Sequence, residues 1–276
     1  MNESDFPHCV ISGREGAPIL VFLHGFLGDL RDWSEIAPGL ENEFRCVALD
    51  LPGHGRTPLP GHVRVDGGMQ AIADWFWKTM DGLGVGSCSI AGYSMGGRLA
   101  LCAALTRPER VTALAVESAS PGLRSEEERL IRIRQDEELA DRLARTDFSA
   151  FLKSWCSQQM FAGIESDVER FATLLHRRMD NNPARIGAAL RVMSIGRQPD
   201  LWGLWEKNRI PTLIICGERD EKYCAIGHEM AALCDASRLI ITPGSGHNVH
   251  YMDSKNYAAS LSAFFHETAG KTQRAK

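Results

Sequence analysis

Ser94 sits in Gly92-Tyr93-Ser94-Met95-Gly96, between an apolar run ending at Ala91 and a helix-forming run, Gly97–Leu105. A serine hydroxyl is a weak nucleophile and a weak base until an imidazole takes its proton, and that imidazole needs a carboxylate to hold its tautomer. A Gly-x-Ser-x-Gly turn between strand and helix lifts such a serine clear of the chain, with glycine on both sides because a Cβ would strike the element opposite. Its partners are expected downstream, acid before histidine, each on a loop that follows a strand. Asp220, in Cys216-Gly217-Glu218-Arg219-Asp220, and His247, in Gly244-Ser245-Gly246-His247, meet that order. Glu218 competes with Asp220 but lies nearer the strand end. His250 would need a third ligand to make a metal site with His247, and none is found, so it is given a supporting or structural role. His24 and His54, in turns after strands, read as bracing residues. Charge that develops on a substrate oxygen needs preorganised donors, and the amides of Met95 and of Phe26, in the loop His24-Gly25-Phe26-Leu27-Gly28, are expected to supply them.

These loops need strands to end where they begin. Apolar, β-branched runs recur at Ile19–Leu23, Cys46–Leu49, Ser89–Ala91, Val111–Val116, Thr212–Cys216 and Leu239–Ile241, and read as buried parallel strands. Met69, Ile72, Ala73, Phe76 and Met80 fall at helical spacing between the second and third runs, which makes a crossover helix over Met69–Leu83. The expected class is therefore α/β, a doubly wound, mainly parallel sheet. The rhythm breaks over 119–196, where Ser125-Glu126-Glu127-Glu128 opens a helix as a capping box and strand-like runs vanish. That segment is expected to be a helical cap on a core formed by 1–118 and 197–270, with 271–276 a disordered tail. Arginine is abundant in the cap and Lys153 is its only lysine, a bias that suits two-pronged recognition of carboxylates.

Composition narrows the function classes. Among 276 residues, 44% are hydrophobic and 24% charged, enough to bury a core and solvate the outside. The net charge of −4, without a basic patch, argues against nucleic acid or an anionic membrane as partner. Eight cysteines without a C-x-x-C pair read as reduced core residues. The acidic start and the lack of a long apolar stretch point to a cytoplasmic protein.

Taken together, His24-Gly25-Phe26, Asp50-Leu51-Pro52-Gly53-His54-Gly55, the serine turn, Asp220 and His247 resemble the α/β-hydrolase superfamily over nearly the whole chain. Within it, Tyr93–Arg98, Pro121-Gly122-Leu123 with Glu128-Arg129 and Arg132, Gln198–Leu201 and Gly246–His250 resemble the 2-succinyl-6-hydroxy-2,4-cyclohexadiene-1-carboxylate synthases of menaquinone and phylloquinone biosynthesis. The resemblance implies a lyase that removes pyruvate from 2-succinyl-5-enolpyruvyl-6-hydroxy-3-cyclohexene-1-carboxylate with no metal or organic cofactor. It also implies a small tricarboxylate partner held by Arg98, Arg132 and Arg178, with Tyr93 and Trp155 lining the cavity. Arg129 and Arg134 compete with Arg132, and Arg177 with Arg178. A monomer or weak homo-oligomer is expected. A carboxylesterase or thioesterase working through an acyl-serine, and a non-catalytic scaffold, remain the competing classes.

Overall fold

The computed structural model describes residues 6–274. Seven strands form one sheet: β1 (Cys9–Gly13), β2 (Ile19–Leu23), β3 (Arg45–Leu49), β4 (Cys88–Tyr93), β5 (Val111–Glu117), β6 (Thr212–Gly217) and β7 (Ser237–Thr242), in the order β1-β3-β2-β4-β5-β6-β7. Among the described strands only β1 runs antiparallel, paired with β3. The ten α-helices among the described residues are α1 (Gly68–Gly82), α2 (Met95–Thr106), α3 (Glu126–Arg145), α4 (Phe148–Cys156), α5 (Val168–Met179), α6 (Pro183–Val192), α7 (Trp202–Trp205), α8 (Glu221–Leu233), α9 (Val249–Met252) and α10 (Ser254–Arg274).

The apolar strands make the sheet the middle layer. Successive side chains of a strand point to opposite faces, so β2 sends Val21 and Leu23 into a cluster with α1 and α2, including Ile72, Phe76 and Leu99. Its Leu20 and Phe22 enter a second cluster with Trp33, Phe264 and Phe265 on the other face. Burial on both sides removes the alternation a half-exposed strand would show, which is why β2 through β6 stand out as continuous apolar runs.

Three expectations need correction. The strand β1 was not anticipated: it is a short edge element with Val10 and Ile11 exposed, so its sequence carries no core pattern. Another difference is β7, expected to be buried, which pairs only with β6 and is half-buried along most of its length because it closes the other edge. The tail expected at 271–276 is helical as far as Arg274, where it continues the backbone ladder of α10; 275–276, like 1–5, lie outside the described residues.

Within 119–196 the chain makes α3 to α6 and no strand. Each of these helices opens on a side chain that accepts an otherwise orphaned amide: Ser125 from Glu128, Asp147 from Ala150, Asp167 from Arg170 and Asn182 from Arg185. The segment is fastened to the strand-end loops by polar contacts. Asn181 donates to the Leu27 carbonyl at 3.0 Å and accepts from the Gly55 amide at 2.7 Å. Arg185 donates to the carbonyls of Gly55 and Thr57, and Arg31 pairs with Asp180 at 2.8 Å. No described helix is long and apolar enough to cross a membrane.

Candidate active site

The serine turn joins β4 directly to α2. Ser94 has φ 50° and ψ −108°, a conformation that side chains avoid, and its amide donates to the Glu117 carbonyl at 2.8 Å. A Cβ on Gly96 would strike the carbonyls of Leu23 and His24, and one on Gly92 would strike the backbone of Gly96, so the turn closes only with glycine at both places.

The structure brings Ser94, His247 and Asp220 into one hydrogen-bonded chain. His247 Nε2 lies 2.9 Å from Ser94 Oγ, and His247 Nδ1 lies 2.5 Å from Asp220 Oδ2. A carboxylate only accepts, so Nδ1 carries the proton and Nε2 is left to accept from the serine hydroxyl. His247 and Asp220 are both buried. Glu218 is not part of this chain: its carboxylate accepts the Gly244 amide at 2.9 Å on the exposed side of the loop. His250 turns away from His247 and pairs with Glu117 at 2.8 Å. His24 braces two loops, with Nδ1 on the Gly25 carbonyl and Nε2 accepting from the Leu51 amide. His54 rests on the Pro52 carbonyl, and burial drives its pKa down to about 3.

The two expected amides lie where the loops converge. Met95 is the first residue of α2, so its N–H has no partner within the helix. The amide of Phe26 donates to no protein acceptor among the described residues. Its loop is tensioned at Leu27, which has φ 65°, and Ser118, after β5, has φ 48°. The left-handed non-glycine residues among those described are thus Leu27, Ser94 and Ser118, just beyond the ends of β2, β4 and β5.

A cavity of about 640 Å³ opens between these loops and α3 to α6. Its wall includes all five loop residues (Phe26, Ser94, Met95, Asp220, His247) and all five expected substrate contacts: Tyr93, Arg98, Arg132, Trp155 and Arg178. Arg98 is buried against neutral acceptors, the Gln198 side chain at 3.2 Å and the Met193 carbonyl at 2.9 Å; burial brings its pKa down to about 10. Arg178 is buried with one hydrogen bond, to Cys156 Sγ, and its Nε has none. Arg132 differs: it is half-buried and already pairs with Asp136 at 2.9 Å. Of its competitors, Arg129 donates to the Gly196 carbonyl and Arg134 is exposed away from the cavity, while Arg177 reaches the Arg31 carbonyl. The Tyr93 ring faces the cavity, but its hydroxyl is engaged by Asn248 Oδ1 at 2.6 Å. Trp155 packs edge-on to Phe26 with ring centroids 5.2 Å apart.

Other wall residues escaped the sequence reading. Asp136, one turn from Arg132, also accepts from Ser194 and was legible only as part of an exposed charged helix. Lys222 and Arg142 add cations at the rim. Burial, then repulsion from Arg132, lowers the Lys222 pKa. Phe161 and Tyr223 flank the His247 ring at 5.7 and 4.9 Å, and nothing in their spacing marks them.

Comparison with known proteins adds a second line of observation. The model of the α/β-hydrolase fold family matches residues 18–253. The 2-succinyl-6-hydroxy-2,4-cyclohexadiene-1-carboxylate synthase of Escherichia coli O1:K1 / APEC is 34% identical over 249 residues, 90% of this chain and 94% of that protein. The synthase of the same name from E. coli O157:H7 is 35% identical over 249 residues, with the same coverage. Among solved structures, MenH from S. aureus superposes with a TM-score of 0.88 at 29% identity, covering 95% of this chain and 99% of that one. An enol-lactonase from Burkholderia xenovorans LB400, at 20% identity and a TM-score of 0.79 over 94% and 96% of the two chains, shares the fold.

Proposed function

We propose, since the chain belongs to the α/β-hydrolase-fold family and within it to the 2-succinyl-6-hydroxy-2,4-cyclohexadiene-1-carboxylate synthases, that it is a lyase eliminating pyruvate from 2-succinyl-5-enolpyruvyl-6-hydroxy-3-cyclohexene-1-carboxylate. The observation that carries this reading is a serine–histidine–aspartate chain facing a cavity in which Arg98 and Arg178 are buried with no carboxylate at ion-pair distance, Asp136 and Asp32 acting on them only from further off. A buried guanidinium held only by neutral acceptors is under-compensated, and an anionic ligand is what completes it.

The substrate carries three carboxylates and a ring proton acidified by the succinyl ketone. His247 takes the Ser94 proton, and the serine oxygen takes the ring C2 proton, so the charge left on the imidazolium rests on Asp220. The C2–H pair forms the C2–C3 double bond, the C3–C4 π pair moves to C4–C5, and the C5–O bond breaks. Enolpyruvate leaves with that bonding pair; His247 gives up its extra proton to water, and enolpyruvate takes one from water at its methylene to become pyruvate, so the triad returns to its starting state. Charge on the ketone oxygen during C2 deprotonation is met by the Phe26 and Met95 amides. No acyl-serine forms. Arg98, Arg132 and Arg178 hold carboxylates, while Trp155 and Tyr93 shape the apolar wall. A cytoplasmic monomer or weak homo-oligomer accompanies this reading.

The test is a coupled assay of pyruvate release from the enolpyruvyl substrate beside hydrolysis of p-nitrophenyl acetate. Turnover of the first is expected to exceed the second by orders of magnitude. Equal or faster ester hydrolysis would assign the chain to the acyl-serine enzymes instead.

A further inference from the structure

Behind the serine turn lies a second pair of ionisable groups that the elimination does not use. Glu117, the last residue of β5, is fully buried, and so is His250 to within 3%. The His250 ring donates from Nδ1 to both carboxylate oxygens, at 2.8 and 3.0 Å, and the His250 amide approaches the same group at 3.2 Å. Burial opposes a charged ring, but the Glu117 charge and hydrogen bond outweigh it and leave the His250 pKa above its ordinary value. Trp33 stacks on the ring at 5.2 Å and Tyr93 lies 4.5 Å away, so the pair has a wall on each side.

What this pair joins matters more than its own chemistry. The Glu117 carbonyl receives the Ser94 amide at 2.8 Å, so one residue is bonded to the serine through its main chain and to His250 through its side chain. The next residue, Ser118, donates from Oγ to the His247 carbonyl at 3.0 Å, and Tyr93, just before the serine, donates to Asn248. Residues 247, 248 and 250 are thus each tied to the ends of β4 and β5 by side chains outside the triad.

We propose that the buried Glu117–His250 pair is a positioning device that sets the His247 loop in register with Ser94, so that the 2.9 Å serine–histidine contact is held before substrate arrives. Breaking a buried pair by removing one partner leaves an uncompensated charge, whereas removing both charges is far better tolerated by the fold. That difference separates positioning from plain structural support. The inference rests on the reading of Ser94, His247 and Asp220 as the catalytic groups, and not on which substrate they serve.

The test uses the double variant Glu117→Gln/His250→Gln, which is charge-free, and Glu117→Asp, which keeps the charge but withdraws it by one methylene. Both are compared with wild type in melting temperature, in kcat and KM for pyruvate release, and in the far-downfield NMR signal of the proton between His247 Nδ1 and Asp220. The double variant is expected to melt within a few degrees of wild type and keep its KM, yet lose at least about tenfold in kcat with the proton signal shifted or broadened. Glu117→Asp should move in the same direction. Wild-type kcat together with an unmoved proton signal, in either variant that folds, would overturn the proposal. Should wild type release no pyruvate, the substrate reading fails alone, because the proton comparison needs no turnover.

Discussion

Arg98 and Arg178 differ from Arg132 in what surrounds them, and their loss should differ accordingly. The first two are buried with only neutral acceptors, so Arg98→Ala or Arg178→Ala leaves a bound carboxylate desolvated and unpaired, a cost of about 2–5 kcal/mol in kcat/KM. Arg132 shares its charge with Asp136 and is half-buried, so Arg132→Ala should fall at or below the low end of that range. Lysine should restore part of each loss, since it supplies charge without the fork. Steady-state kinetics on the anionic substrate, with a neutral ester as control, check all three; equal losses on both substrates would make these arginines structural. For the triad, Ser94→Ala, His247→Ala and Asp220→Asn should each reduce kcat sharply, and Ser94→Ala/His247→Ala should lose little beyond the worse single change. A Ser94→Ala effect under about tenfold, or ~1.4 kcal/mol, would remove the serine from the role of base.

The link between α5 and α6 is where the helical segment and the strand-end loops are hardest to separate. Asn181 satisfies the Leu27 carbonyl and the Gly55 amide together, and Leu27 follows Phe26, a residue of the cavity wall. Asn181→Ala strips both partners and should destabilise the protein by about 1–3 kcal/mol. It should also reduce kcat, because the Phe26 loop loses its outer anchor; urea unfolding and kinetics on one preparation would show both effects, and an unchanged kcat would separate the anchor from catalysis. Much of this arrangement was legible beforehand, for identifiable reasons. Strands buried on two faces leave unbroken apolar runs, and the serine turn has glycines that no other residue can replace. Illegible were β1, whose exposed side chains obey no core pattern, and the choice among neighbouring arginines. Arg177 and Arg178 are chemically identical and adjacent in sequence; only the phase of α5 sends one to the cavity and the other to Arg31. Glu117 was equally silent, since its pairing with His250 spans two elements far apart in the chain.

Over the molecule as a whole, the buried histidines make stability depend on pH in opposite senses. His54 has its pKa depressed to about 3, so its neutral ring contributes fully above the unfolded value near 6.5 and loses that contribution as pH falls toward 3. Within that window the slope is about 1.4 kcal/mol per pH unit, and His54→Gln should flatten it in urea unfolding measured from pH 7 to 4. A profile for His54→Gln parallel to wild type would mean that another group sets the acid limb. His250 has its pKa raised, so its contribution is complete below about 6.5 and is lost as pH climbs through the folded value.

The left-handed backbone at Leu27, Ser94 and Ser118 has a consequence for anyone who would improve this protein. Each such residue costs the folded chain about 1–3 kcal/mol, but at Leu27 and Ser118 glycine would forfeit as much as it relieves, since Leu27 is buried in an apolar cluster and Ser118 Oγ holds the His247 carbonyl. Ser94 is only part-buried, so a library screened for heat resistance alone would be rewarded for relaxing the turn at the serine itself. Thermotolerant descendants would accumulate as well-behaved, soluble and inert. Directed evolution of this scaffold has to select on turnover from the first round, with melting temperature as the secondary criterion.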